Sequence, residues 1–315
     1  MKFDKPIPIK AIASQIGATE LIGDDSANAL GINEIHHVKI GDITFSDVKK
    51  YFEKALTSAA TIVILNEKPE IIPEGKIVLL HPKPFDAYDS IVRRHRPFTP
   101  LSIEVANNAM IHPSVIIEPR VVIGNHVKIG AGSYIRANAF IDDYTVIGKN
   151  VVVGVGAIIG TDAFYFHKKR VHPDGSGTEG YRKWRSGGRV VIEDNVDIGA
   201  ACTINRGVSS STIIGAGTKL DCQVHVGHDT IIGKNCLVAA QVGISGNSKI
   251  GDGSIIYGQV GIAQNIEIGE KAIVLGQSGV TKSIEGGKTY FGTPAQDIKN
   301  AYKELALLRQ LRKKK

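Results

Sequence analysis

Aromatic side chains are scarce: nine Tyr, nine Phe and one tryptophan, Trp184, in 315 residues. Cysteine is scarcer still, and Cys202, Cys222 and Cys236 form no CxxC pair, so neither a zinc ribbon nor a disulfide scaffold is supported. No apolar run approaches the ~18 residues of a membrane span, and the opening MKFDKPIPIK lacks a signal peptide's apolar segment. The expectation is a soluble, cytoplasmic chain without stable membrane insertion. Charged residues are 22% and the net charge is +7, against 43% hydrophobic residues, which is not the composition of a disordered tail. What is abundant is glycine, 35 residues, alongside much Ile and Val. That mixture predicts many tight turns around small aliphatic side chains and argues against a helical protein.

The aliphatic residues are periodic. From Val105 one returns every six positions through Ile111, Ile117 and on to Ile159; the phase breaks at a polar insertion and resumes at Ile192, Ile198 and Ile204. After a slip of four residues near Ser209 it runs from Ile214 to Val280, for 25 hexads in all. Period six suits neither an α-helix nor an alternating strand. It predicts a parallel β-helix of triangular section, with one hexad per side and 18 residues per coil, about eight coils in total. Gly or Asn is expected to allow the tight corners. Such hexads resemble the left-handed β-helix of the hexapeptide-repeat transferases, and the handedness is taken from that resemblance.

The first hundred residues lack the period. GDITF, ATIVILN and KIVLL read as strands, and IKAIASQIG, SDVKKYFEKAL and FDAYDSIVRRH as helices. The predicted organisation is therefore a small α/β domain at 1–100, a β-helix at 101–290 with an insertion at 165–190, and a helical extension at 291–315. In the extension Ile298, Tyr302, Leu305 and Leu308 share a helical face, and a lone helix of that length needs a neighbour to pack on.

Side chains fill the interior of such a prism, so chemistry belongs on its outer faces. Residues 18 apart stack, which aligns His228, Gly246 and Gln264 in one outward column with Asp229, Asn247 and Asn265 beside it. An imidazole can take a proton from an attacking amine or hydroxyl, and a glycine amide one coil above can meet an oxyanion. The plain alternative is a solvated corner histidine beside an ordinary turn; His225 reads as packing or hydration at a corner.

Three segments, IGAACTINRG, TIIGAGTKLDCQVHVGHDTIIGKN and AAQVGISG, resemble the signature region of the UDP-3-O-acylglucosamine N-acyltransferases of lipid A synthesis. The likeness extends to GDITF with Tyr51 after it, and to FGTPA before the last helix. It implies transfer of a 3-hydroxyacyl chain from acyl carrier protein to the 2-amine of a UDP-linked glucosamine, by a homotrimer. The only carrier group needed is the 4'-phosphopantetheine that the donor brings, with no separate cofactor and no metal. By motif position the resemblance makes His228 the base, Gly246 the oxyanion donor and Asp221 an acidic residue of the catalytic segment. It makes Phe45 and Tyr51 the uracil contacts, and Asp162, Asn205, Gln264 and Asn265 the remaining substrate contacts.

The chain departs from that family at several positions. Asn205 stands where Asp is usual, Asn265 for a second histidine, Val48 for an Asn, and Ala163 and Tyr165 for glycines. These departures leave two further readings: a nucleotide-sugar N-acetyltransferase using acetyl-CoA, and a non-catalytic UDP-sugar-binding paralogue. A zinc hydratase would need three convergent histidines, and only His225 and His228 are close in sequence. The insertion has a net charge of +5, and Lys168, Lys169, Arg170, Arg182, Lys183 and Arg185 are expected to dock the acidic carrier protein. Nucleic acid is disfavoured, because these cations lack interleaved aromatics.

Overall fold

The computed structural model describes residues 1–169 and 180–313. They form two compact units. The first comprises Met1–Thr99, Tyr165–Gly188 and Val208–Ser210; the second comprises Pro100–Phe164, Arg189–Gly207 and Ser211–Lys315.

The first unit holds a six-stranded sheet, β1 (Lys2–Pro8), β2 (Glu20–Ile22), β3 (Asn28–Ile32), β4 (Asp42–Ser46), β5 (Ile62–Leu65) and β6 (Ile77–Leu80). Its order is β1-β3-β4-β5-β6-β2. The β3, β4, β5 and β6 strands run parallel, while β1 and β2 close the edges antiparallel. Helices α1 (Ile9–Ile16), α2 (Phe52–Thr57) and α3 (Pro84–His95) cover it. The central strands read as unbroken apolar runs because both faces are buried.

Tyr165–Gly188, expected within the β-helix, belongs to this first unit. Trp184 sits among Phe45, Phe85, Tyr88 and Tyr165, with ring centres 4.6–5.7 Å apart. Arg182 ion-pairs with Asp86 at 2.7 Å and Asp89 at 3.0 Å, and the Arg185 amide donates to Asp89 at 3.2 Å. The Asp89 side chain is fully buried and also meets Arg93 at 2.7 Å, so its charge needs these partners.

The second unit is a parallel β-helix with three walls. Wall 1 has eight strands from Met110–Ile111 to Glu267–Ile268. Wall 2 has ten, from Ile116–Ile117 to Gln296–Asp297, and wall 3 has eight, from Val122–Ile123 to Gly279–Val280. The hexad residues point inward, and nearly all of those from Ile123 to Val280 are buried in one continuous core. Inward hydroxyls find carbonyls of the next coil: Thr218 donates to Gly233 at 2.7 Å and Ser248 to Ala263 at 2.9 Å. The last helix, α4 (Ile298–Lys313), leaves Tyr302, Leu305 and Leu308 exposed.

Left-handed φ recurs at most corners, held as expected by Asn residues such as Asn138 and Asn235 and by Gly132 and Gly217, and also by Gln223, Tyr144 and Ala201. The glycines that follow the inward aliphatics serve close approach instead: a Cβ at Gly130 would lie 2.6 Å from the Gly148 carbonyl oxygen one coil away. The spacing of the coils, not the turn, excludes a side chain there.

Candidate active site

His228 and Asp229 occupy the corner between walls 3 and 1, just after the strand His225–Val226. Asp229 is held at φ +55° and its amide donates to Thr212 Oγ1 at 2.9 Å. Its buried carboxylate lies 2.9 Å from His228 Nδ1. That contact occupies one ring nitrogen and turns the imidazole so that Nε2 faces the coil above. There a Cβ on Gly246 would fall 2.5 Å from Nε2, so only glycine lets the ring lie against this backbone. Among the described residues the Gly246 amide donates to no protein acceptor. An imidazole and an available peptide N–H thus meet on one rim.

The rim borders a groove of about 500 Å³ lined by Phe164, His225, His228, Gly246, Gln264 and Asn205, among others. Asn205 donates to Thr161 Oγ1 at 3.3 Å and to the Asp162 carbonyl at 3.1 Å, so it steadies the loop that carries Phe164. Arg206, buried behind that loop, reaches Asp142 at 2.8 Å and Asp162 at 4.0 Å. Burial pushes the Asp142 carboxyl upward against the opposing pull of Arg206. Asn265 accepts the Asn247 side-chain amide at 2.6 Å along the corner edge.

Not every expected residue reaches this rim. Asp221 follows the wall 2 strand Lys219–Leu220, on the corner at the other edge of wall 3, where it is exposed and caps the Cys222 amide at 2.7 Å. The acid beside His228 is Asp229, one residue on; sequence reading placed it next to the column without giving it a role, although an HD pair at a corner was the available signal. Phe45 lies in the first unit, half-buried in the Trp184 cluster, while Tyr51 is exposed with Lys50 Nζ 4.7 Å from its ring centre. Of the basic residues, Lys183 is exposed, whereas Arg182 and Arg185 are bound to acids and carbonyls of their own unit. Arg170 and the side chains of Lys168 and Lys169 lie outside the described residues. Among the described residues no cluster of three His, Cys, Asp or Glu side chains could hold a metal ion.

Residues 102–137 and 211–246 match the bacterial transferase hexapeptide family (six repeats). The UDP-3-O-acylglucosamine N-acyltransferase of Granulibacter bethesdensis is 36% identical over 240 residues, 71% of this chain and 70% of that protein. The enzyme of the same name from Methylobacterium sp. (strain 4-46) is 37% identical over 250 residues, 72% of this chain and 71% of its own. Among solved structures, the Francisella novicida UDP-N-acetylglucosamine acyltransferase superposes with a TM-score of 0.53 at 30% identity, covering 61% of this chain and 65% of its own. With its wall 3 corner built around His228, Asp229 and Gly246, the chain belongs to the UDP-3-O-acylglucosamine N-acyltransferase family.

Proposed function

We propose that the protein transfers a 3-hydroxyacyl chain from acyl carrier protein to the 2-amine of a UDP-3-O-acylglucosamine, a step of lipid A synthesis. The observation that carries this reading is the His228 imidazole, oriented by Asp229 and lying against Gly246. His228 Nε2 takes a proton from the amine as its nitrogen attacks the thioester carbon. Negative charge develops on the former carbonyl oxygen, and the Gly246 N–H stabilises it. Collapse of that intermediate forms the amide and expels the pantetheine sulfur, which leaves with the proton held by the imidazolium. The donor brings its own phosphopantetheine, so no other cofactor enters.

In this reading Phe45 and Tyr51 hold the uracil, and Asn205, Asp162, Gln264 and Asn265 surround the acceptor. Exposed outward side chains such as Ile231, Leu237 and Tyr257, together with the apolar face of α4, suit burial against further copies in a homotrimer. Asp221 is an acidic residue of the catalytic segment in this reading. Lys168, Lys169, Arg170, Arg182, Lys183 and Arg185 dock the acidic carrier protein in this reading. No described helix is long and apolar enough to cross a membrane, and a cytoplasmic location is part of the proposal.

The test is product analysis by mass spectrometry with UDP-3-O-acylglucosamine and a 3-hydroxyacyl carrier protein. His228→Ala should lower amide formation at least about a hundredfold while circular dichroism is unchanged. Near-normal turnover by that variant removes the mechanism. Transfer from acetyl-CoA in place of the carrier protein would assign a nucleotide-sugar N-acetyltransferase, and tight UDP-sugar binding without turnover of any donor would assign a binding protein.

A further inference from the structure

His225 lies in the same groove as His228, three residues earlier, and the proposed mechanism gives it no task. Its side chain stands on the outer face of wall 3. There Thr203, His225, Gly243, Gly261 and Gly279 are stacked in register, one per coil. Two features set this imidazole apart from a solvated corner histidine. First, Nδ1 lies 2.7 Å from Thr203 Oγ1, so the ring is fixed from the coil below and Nε2 is its remaining hydrogen-bonding atom. Secondly, the coil above offers no side chain: a Cβ at Gly243 or at Gly261 would meet nothing within 4 Å. Neither glycine has left-handed φ, so neither the backbone nor packing demands it, and a strand glycine of that kind leaves room for a close neighbour. The residue is exposed, yet loss of hydration pushes its pKa down, which favours a neutral imidazole at pH 7.

We infer that His225 is a specificity-determining residue that hydrogen-bonds the 3-hydroxyl of the donor acyl chain through Nε2. The inference rests on the acyltransferase reading and deepens it. With the thioester carbonyl at the Gly246 amide, the polar group nearest the reacting carbon on the donor is the hydroxyl two carbons along the chain. On the acceptor the free hydroxyls sit farther from the reacting nitrogen. The carbons flanking its amine-bearing carbon carry the nucleotide phosphate and an esterified oxygen, so neither presents a free hydroxyl. A neutral imidazole with one nitrogen committed to Thr203 serves a hydroxyl as donor or acceptor. A site built to bond a hydroxyl discriminates strongly against the analogue that lacks it.

The experiment compares two carrier-protein donors of equal chain length, one with and one without the 3-hydroxyl, by kcat/KM. The parent protein should prefer the hydroxylated donor by about a hundredfold or more. His225→Leu should erase that preference by lowering turnover of the hydroxylated donor alone, and His225→Gln should restore part of it. Thr203→Val, which frees the ring without emptying the wall, should weaken the preference in the same direction. Equal loss on both donors in His225→Leu, or a preference that survives it, overturns the inference, as does a parent protein that uses both donors equally well. A parent protein that transfers neither chain would instead defeat the acyltransferase reading, so the two failures are distinguishable.

Discussion

Two corners of the same prism share a backbone and differ in what they do with it. Between walls 2 and 3, Gln223, Gln241, Gln259 and Gln277 stand at φ near +60° and pass side-chain amide hydrogen bonds from coil to coil at 2.8–2.9 Å. Between walls 3 and 1, Asp229, Asn247 and Asn265 hold the same left-handed φ at the same 18-residue spacing. The first corner repeats one residue type and spends every side chain on its neighbour. The second breaks the repeat, turning the Asp229 carboxylate to His228 and leaving Gly246 bare above it. The left-handed corner therefore prescribes backbone and little else. Its side chains are free to form a stiffening ladder or to carry chemistry.

Three experiments sharpen that contrast, from the largest effect downward. Gly246→Ala should cost about a hundredfold in acyl transfer, because its methyl group would occupy the place of His228 Nε2, 2.5 Å away. The same change at Gly258 on the ladder corner would meet only the Ala240 carbonyl oxygen at 3.3 Å and should leave turnover unaltered. Parallel steady-state assays decide it, and equal losses would mean that the glycines serve folding alone. Next, Asp229→Asn should slow transfer by about tenfold or more by removing the carboxylate that fixes the Nδ1 tautomer and stabilises the imidazolium. Gln259→Ala should leave the rate intact and lower stability by ~1 kcal/mol or less, read from urea denaturation. The smallest effect concerns pH. Loss of hydration is the leading cause that depresses the pKa of His225, His36 and His95, with Lys54 adding to it at His36 and Arg94 at His95. The unfolded chain then binds protons more readily than the folded one below about 6.5, so stability is complete above that pH and declines as pH falls. Melting curves between pH 7.5 and pH 5 should show Tm falling, and His225→Gln should flatten the fall.

Most of the prism was legible because each wall needs one inward aliphatic residue at a fixed interval, and Ile123, Ile129 and Ile135 supply it without interruption. What escaped sequence reading had no local pattern. The charged and proline-bearing β1 strand, KFDKPIP, shows little alternation, and it pairs with β3 some twenty residues later. The allegiance of the insertion depends on Arg182 meeting Asp86 and Asp89 across more than ninety residues, and on Trp184 entering an aromatic cluster. At the candidate site the stacking of His228 beneath Gly246 followed from spacing alone. The resemblance singled out Asp221, on the corner between walls 2 and 3, and gave no role to Asp229, which the turn after Val226 sets beside the ring.

The corner between walls 3 and 1 is also where the chain twice leaves the stack. Residues 165–188 depart after the strand Ile158–Thr161 and return at Arg189; Val208–Ser210 depart after Thr203–Asn205 and return at Ser211. Strand pairing continues past both excursions, Ile158 with Thr203 and Arg189 with Ser211, with one register shift between Ile159 and Thr161. The vertex that bears the imidazole and carboxylate is thus an open port in an otherwise closed winding. Segments of very different length can be spliced in there while every interior isoleucine keeps its phase.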